Sequence, residues 1–216
     1  IFENTIIIGA YGDDDKGADS GAAYIFSCEE NGVWNQIKKL TADDGATGDA
    51  FGYSVAISRE FAIVGAYLGD VEEIDSGSVY IFACDNNVWN IRQKLTDTYV
   101  PSNSWHYHSG HFGYSVAINE NSIIIGIPLA FGKRLITGSK YYGGASLFKL
   151  EGDNWTLKNH FRGHNDYGYG ETVAISEDFL IIGSPYEQNN TGGFTVWKQT
   201  TSGWYVRGFS REDSAT

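Results

Sequence analysis

The chain has 216 residues, with 27 acidic and 15 basic side chains, so its formal net charge is −12 at pH 7. This charge argues against nucleic acid and anionic membrane surfaces as partners, while it permits cations and basic partners. No apolar run approaches the length of about eighteen residues that a membrane-spanning helix needs, so the sequence predicts no insertion into a membrane.

In chain order, the sequence divides into four similar units, which occupy residues 1–40, 51–95, 112–161 and 169–209. The second unit is complete and holds four short runs rich in Val, Ile, Tyr and Phe, bounded by Gly, Asp, Asn and Ser. Such runs are typical of β-strands. The first unit holds only the second, third and fourth runs.

Three landmarks recur in the same order in every unit. The second run ends in an apolar residue and glycine, the third closes on an aromatic residue, and the fourth opens with tryptophan. The glycines are Gly9, Gly65, Gly126 and Gly183, and the tryptophans are Trp34, Trp89, Trp155 and Trp204. A four-stranded unit of about fifty residues repeated in this way predicts an all-β fold, a β-propeller of antiparallel blades. We expect the recurrent aromatic residues to pack between neighbouring blades.

The segments FGYSVAI, FAIVGAY and DSGSVYIF resemble the FG-GAP repeat, the blade unit of integrin α-chain propellers. The family's calcium loop connects the first and second strands. That connection is only three residues long here, so the chain resembles a branch without this loop. The resemblance implies an extracellular, non-catalytic module for protein or glycan contacts in adhesion or a larger assembly.

Whether the chain closes a ring is left open by the repeat. The first unit lacks its first strand, and no segment near the carboxyl terminus resembles the missing one. Propellers avoid open sheet edges. The sequence is therefore compatible with a segment of a larger propeller, with a ring completed by a partner, and with an independent four-bladed ring.

An acidic loop of the first unit offers a candidate cation site. Asp13, Asp15 and Asp19 alternate with other residues, and carboxylate oxygens are the ligands that Ca²⁺ prefers. The alternative is a solvated loop in which aspartates cap turns.

Two further loops offer candidate contact surfaces. The first is aromatic and rich in histidine, and it could contact a partner, stack on sugars, ligate Zn²⁺ or Cu²⁺, or simply pack on the protein. Its residues are Trp105, His106, Tyr107, His108 and His111. The second loop is basic and aromatic, and it could dock on an acidic loop of another copy or be a plain surface loop. Its residues are Lys133, Arg134, Tyr141 and Tyr142.

Two sequons, at Asn154 and Asn189, are glycosylation acceptors in a eukaryotic secretory pathway, and they favour an extracellular location. No lipase elbow, zinc-protease motif or phosphate-binding loop occurs, so the sequence predicts no enzyme. The alternative hypothesis is a polysaccharide-acting enzyme whose site lies at the propeller axis.

Overall fold

The computed structural model describes residues 1–70, 75–97, 110–129, 133–135, 138–140, 143–163, 168–186 and 192–211. All regular secondary structure in these ranges is β-strand, which confirms the predicted all-β class. No helix able to cross a membrane occurs among the described residues.

The strands form three four-stranded sheets and one three-stranded sheet, each antiparallel with strands in chain order. Blade 1 consists of β1 (Thr5–Ala10), β2 (Ala22–Cys28) and β3 (Trp34–Leu40). Blade 2 consists of β4 (Ser54–Ile57), β5 (Phe61–Ala66), β6 (Ser78–Asp85) and β7 (Val88–Leu95). The incomplete first blade is therefore confirmed.

The second half of the chain repeats this plan with one insertion. Blade 3 consists of β8 (Ser115–Asn119), β9 (Ser122–Ile127), β12 (Gly144–Glu151) and β13 (Asn154–Arg162). A separate two-stranded ribbon, β10 (Lys133–Leu135) and β11 (Gly138–Lys140), lies between β9 and β12 in sequence. Blade 4 consists of β14 (Thr172–Ile175), β15 (Phe179–Ser184), β16 (Gly193–Thr200) and β17 (Gly203–Arg211).

The core lies between the blades in three apolar clusters, one at each blade-to-blade interface. Trp89 and Phe82 of blade 2 are buried against Ile25 and Leu40 of blade 1. Equivalent aromatic residues fill the next two interfaces, as predicted: Phe148 and Trp155 face blade 2, and Trp197 and Trp204 face blade 3. Burying both faces of each inner sheet is what joins the units into one fold.

Glycines allow neighbouring blades to approach closely. A β-carbon on Gly65, at the end of β5, would lie 2.1 Å from the carbonyl oxygen of Gly113 in blade 3. Gly77 has a φ of 85°, and its N-terminal neighbour Ser76 accepts a hydrogen bond from the amide of Phe112 at 3.1 Å. The recurrent glycines therefore mark the backbone contacts between successive blades.

Candidate functional site

Tyrosines recur at two positions that lie at the same end of the sheets. Tyr53 and Tyr114 immediately precede the first strands β4 and β8, while Tyr11 and Tyr67 immediately follow the second strands β1 and β5. Because first and second strands are antiparallel, the start of one lies beside the end of the other. The fold therefore collects these tyrosines from three blades.

The four side chains form a continuous set of ring contacts, which we call the tyrosine cluster. The ring of Tyr53 lies 5.6 Å from that of Tyr11, 4.3 Å from that of Tyr67 and 5.0 Å from that of Tyr114, centre to centre. Tyr67 and Tyr114 are 5.3 Å apart. These distances are typical of favourable aromatic pairs.

The cluster is partly open to solvent. Tyr11 is 55% exposed and Tyr53 is 37% exposed, while Tyr67 and Tyr114 are half-buried. Large aromatic side chains that are held against each other and still reach solvent form a surface on which an amphipathic ligand can stack at small entropic cost.

Glu171 continues the series in blade 4, where it occupies the position of Tyr53 and Tyr114 before β14. Burial raises the pKa of its carboxyl group. The Glu171 carboxyl group and the Tyr186 ring lie on the same side of Gly168. A β-carbon built on that glycine would be 2.8 Å from Oε1 of Glu171 and 3.0 Å from Cδ2 of Tyr186. The negative charge of Glu171 also helps to raise the pKa of Tyr114.

The remaining polar groups of the cluster stay largely neutral. A hydrogen bond with Tyr53, burial and the nearby Glu171 raise the pKa of Tyr114. Burial lowers the pKa of His111, which favours the neutral imidazole even though Asp75 opposes the shift. The ring of His111 lies 5.2 Å from that of Tyr67, so this residue of the predicted histidine-rich loop contacts the tyrosine cluster.

The structure gives the predicted calcium loop a different partner. Nζ of Lys39 binds both carboxylate oxygens of Asp13, at 3.0 and 2.9 Å, and also the carboxylate of Asp15. Tyr24 donates a further hydrogen bond to Asp13 at 2.8 Å. The amide of Asp19 binds Asp14 at 2.9 Å, a turn contact. The loop is therefore held by an ion pair with Lys39.

Within the described ranges, no three His, Cys, Asp or Glu side chains lie close enough to hold a metal ion. The arrangement of Asp13, Asp15 and Asp19 thus gives no support to the Ca²⁺ prediction. A protein ammonium group already neutralises the two carboxylates that were expected to bind the cation.

The other predicted site residues are not brought to the cluster by the described structure. For Lys133 and Arg134 the structure describes the backbone alone, which lies in the ribbon strand β10. Asn154 opens β13 and is exposed. The rest lie outside the described residues: Trp105, His106, Tyr107, His108, Tyr141, Tyr142 and Asn189.

The tyrosine cluster and Glu171 were not predicted from the sequence. A signal was available in the repeat itself, since FGY occurs twice and GAY occurs twice. The residue two positions after the opening aromatic of the first run is Tyr53, Tyr114 and Glu171 in successive units. Comparing that position across units would have pointed to one shared end of the sheets.

An open groove of about 550 Å³ lies at the opposite end of the sheets, against the hairpins that follow β4 and β8. Arg59, Glu60 and Glu120 line it together with apolar residues. Arg59 is paired with Glu3 at 2.7 Å. These charges are exposed and Arg59 already has a partner, so the tyrosine cluster is the stronger candidate site.

Comparison with solved structures places the fold among β-propellers. A protein from Lactobacillus plantarum aligns over 95% of this chain with a TM-score of 0.53 and 12% identity. A candidate 6-phosphogluconolactonase from Bacteroides fragilis aligns over 94% with a TM-score of 0.51 and 9% identity. The chain spans about half the length of these structures, 55% in each case. No curated protein sequence matches the chain.

These structures contradict the expectation of a non-catalytic contact module, because one protein with this fold is a candidate enzyme. The physical reason for the error is that the missing sequence motifs describe other enzyme classes, while propeller sites are assembled from loops of several blades. At 9% identity the likeness shows the fold alone, and it assigns no reaction to this chain.

The sequence model of the FG-GAP repeat matches residues 1–26 and 34–82, which make up blade 1 and most of blade 2. This match confirms the resemblance drawn from FGYSVAI and FAIVGAY, and the same landmarks continue through blades 3 and 4. Over blade 1 and most of blade 2, the chain is therefore similar to the FG-GAP repeat.

Proposed function

We propose that the tyrosine cluster and Glu171 form the substrate site of a hydrolase that acts on a neutral carbohydrate, with polysaccharide as the substrate class. The observation that carries the proposal is the series Tyr53, Tyr114 and Glu171, which places two phenol rings in contact and one partly buried carboxylic acid at equivalent positions of consecutive blades.

The tyrosines suit a sugar because a pyranose ring has an apolar face of C–H groups and a rim of hydroxyls. The tyrosine rings offer the apolar contact, and their phenol hydroxyls offer hydrogen bonds at the rim. The contacts continue from Tyr11 to Tyr114, which favours an extended oligosaccharide over a single small ring.

Glu171 suits the role of general acid. A carboxyl group whose pKa is raised keeps its proton at a higher pH, and it can then give that proton to the glycosidic oxygen as the C–O bond breaks. Water then adds to the anomeric carbon and gives a proton to the Glu171 carboxylate, which completes the hydrolysis and restores the acid.

The local charge favours a neutral substrate over a phosphorylated one. The charged groups that act on the cluster's tyrosines and His111 are the acids Asp75 and Glu171. Carboxylates repel a phosphate, and the whole chain carries a net charge of −12.

The test is hydrolysis of a panel of neutral polysaccharides and aryl glycosides, followed by the release of reducing ends or nitrophenol. We expect Tyr53→Ala to weaken substrate binding by about fivefold or more, by analogy with the cost of about 1–3 kcal/mol for losing one stacking residue. Val88→Ala, at an exposed hairpin position on the opposite end of blade 2, is the matched control. The proposal fails if the wild-type chain neither retains nor cleaves any member of the panel.

We also propose an extracellular location. It is supported by the sequon at Asn154, whose side chain is exposed at the hairpin between β12 and β13. Expression in a eukaryotic secretory pathway should give a glycosylated chain, whose mass falls on enzymatic deglycosylation. The Asn154→Gln variant should show a smaller fall in mass, because the glycan at this site is missing. A secreted chain without attached glycan at Asn154 would contradict this support.

A further inference from the structure

Tyr53 and Tyr67 form the tightest ring contact of the tyrosine cluster. Their ring centres lie 4.3 Å apart, whereas the centre of Tyr53 is 5.0 Å from that of Tyr114 and 5.6 Å from that of Tyr11. The planes of the two rings are tilted by 48°. At this separation, carbon atoms at the edges of the two rings are in van der Waals contact.

The pairing of two strands holds these rings together. Tyr53 immediately precedes β4, and Tyr67 immediately follows β5. Ser54 lies opposite Gly65 in the antiparallel register, so both tyrosines lie just beyond this pair, on adjacent strands. The amide of Tyr53 also donates a hydrogen bond to the carbonyl oxygen of Ala50 at 3.0 Å. The backbone therefore keeps the two rings in contact.

An oxidant in solution can reach this contact through the exposed members of the cluster. Tyr11 and Tyr53 are open to solvent, and Tyr67 is half-buried behind them. The phenols are chemically alike and touch in series. A phenoxyl radical formed on Tyr11 or Tyr53 can therefore move through the ring contacts to Tyr67.

Side chains that oxidise more readily than phenols lie elsewhere. The sequence contains no methionine. Cys28 ends β2 and Cys84 lies near the end of β6, which is the end of the sheets opposite to the tyrosine cluster. Thiols and thioethers are common first targets of oxidants. Among the described side chains at the cluster's end, the tyrosines are therefore the readiest electron donors.

We propose that Tyr53 and Tyr67 are an oxidative modification site, at which a haem peroxidase with hydrogen peroxide joins the two rings as dityrosine. Each phenol loses one electron and one proton. The two phenoxyl radicals then form a bond between ring carbons ortho to their oxygens, and the hydrogens on these carbons move to the oxygens. One hydrogen peroxide takes up the two electrons and two protons and becomes two molecules of water.

The cross-link ties the start of β4 to the end of β5 by a covalent bond. Both tyrosines belong to blade 2, so the reaction needs no partner chain and no other blade. The inference rests on the ring contact and its exposure. It goes beyond the proposed carbohydrate site and stands whether or not the cluster binds a sugar.

Treatment of the folded chain with a haem peroxidase and limiting hydrogen peroxide tests the proposal. The product should show the blue fluorescence of dityrosine and keep the mass of a single chain on a denaturing gel. Trypsin cuts after Lys39, Arg59 and Arg92, so Tyr53 and Tyr67 fall in different peptides, 40–59 and 60–92. Mass spectrometry should find these two peptides joined, with a mass two hydrogen atoms below their sum.

Phenylalanine variants assign the link to this pair. Tyr53→Phe and Tyr67→Phe keep an aromatic ring in place but remove the phenol oxygen, so each should abolish the joined peptide while the far-ultraviolet spectrum stays unchanged. Tyr205→Phe is the matched control, because Tyr205 is an exposed tyrosine of blade 4 outside the cluster, and the joined peptide should persist. A folded wild-type chain without dityrosine, products that join only separate chains, or a joined peptide that survives Tyr67→Phe would overturn the proposal.

Discussion

Ser54 of blade 2 donates its hydroxyl hydrogen to the carbonyl oxygen of Gly113 in blade 3, at 2.6 Å. The relationship is repeated one blade later, where Ser115 donates to the carbonyl of Gly170 at 2.8 Å. In both cases the serine belongs to the first strand of one blade, and the glycine precedes the first strand of the next. The serine of each such segment is thus bonded to the glycine at the equivalent place in the next blade.

Substitution of Gly65 tests this close approach. Its β-carbon would meet the Gly113 carbonyl oxygen at 2.1 Å and Oγ of Ser54 at 2.3 Å, so Gly65→Ala forces the blades apart. We expect a loss of about 3 kcal/mol or more in the free energy of unfolding, as for severe overpacking. Gly208→Ala is the control, because nothing lies within 4 Å of its β-carbon. Equal denaturation midpoints for the two variants would disprove the clash.

The ion pair of Lys39 predicts that calcium does not stabilise the protein. Asp13 and Asp15 already bind the Lys39 ammonium, so excess Ca²⁺ and EDTA should give the same melting temperature. Lys39→Met removes the ammonium and leaves the carboxylates without their counter-charge, and we expect a calcium-dependent rise in melting temperature to emerge in this variant. A rise in the wild-type chain would restore the calcium interpretation of the loop.

Asp44 predicts a loss of stability in acid. Burial raises the pKa of Asp44, but hydrogen bonds from Lys94 at 2.6 Å and Tyr80 at 2.8 Å outweigh it, so the net pKa is lowered. A lowered folded-state pKa gives stability that is present above the unfolded pKa of about 3.9 and is lost as pH falls through the folded value.

Asp44→Asn should therefore lower the melting temperature at pH 7, and the difference from wild type should shrink as the pH falls. The side chain of Asp44 is 56% exposed, so solvent screening keeps the effect below about 1 kcal/mol. Asp43→Asn is a neighbouring exposed control. A difference between Asp44→Asn and wild type that grows in acid would show that the sign is wrong.

Glu171 predicts the opposite pH dependence. Burial raises its folded-state pKa, so its contribution to stability is fully present below the unfolded pKa and is lost as pH rises through the folded value. Glu171→Gln removes the ionised form and should raise the melting temperature at neutral pH, with no change in acid. Melting curves of both proteins across pH check this, and a variant that is less stable than wild type at neutral pH would refute it.

The repeat predicted the blades, because strand length, turn residues and interfacial aromatics are local features that recur along the chain. It did not predict the partner of Asp13, since Lys39 lies 26 residues later and reaches the loop through the pairing of β2 with β3, where Tyr24 is opposite Lys39. The repeat also failed to predict that Glu171 acts on Tyr114, because this interaction depends on how blade 3 packs against blade 4. The repeat position shared by Tyr53, Tyr114 and Glu171 indicates one end of the sheets, but the fold decides which of these side chains touch.

The most direct test of the carbohydrate site is a comparison of kcat and KM on the best cleaved substrate for the wild type, Tyr53→Ala and Glu171→Gln. Tyr53→Ala should mainly raise KM, since it removes stacking. Glu171→Gln should lower kcat at least a hundredfold and abolish the fall in activity as pH rises through the pKa of Glu171, in line with the contribution of about 10²–10⁴ from general acid catalysis. A Glu171→Gln variant with wild-type kcat and pH profile would contradict the assigned role of Glu171.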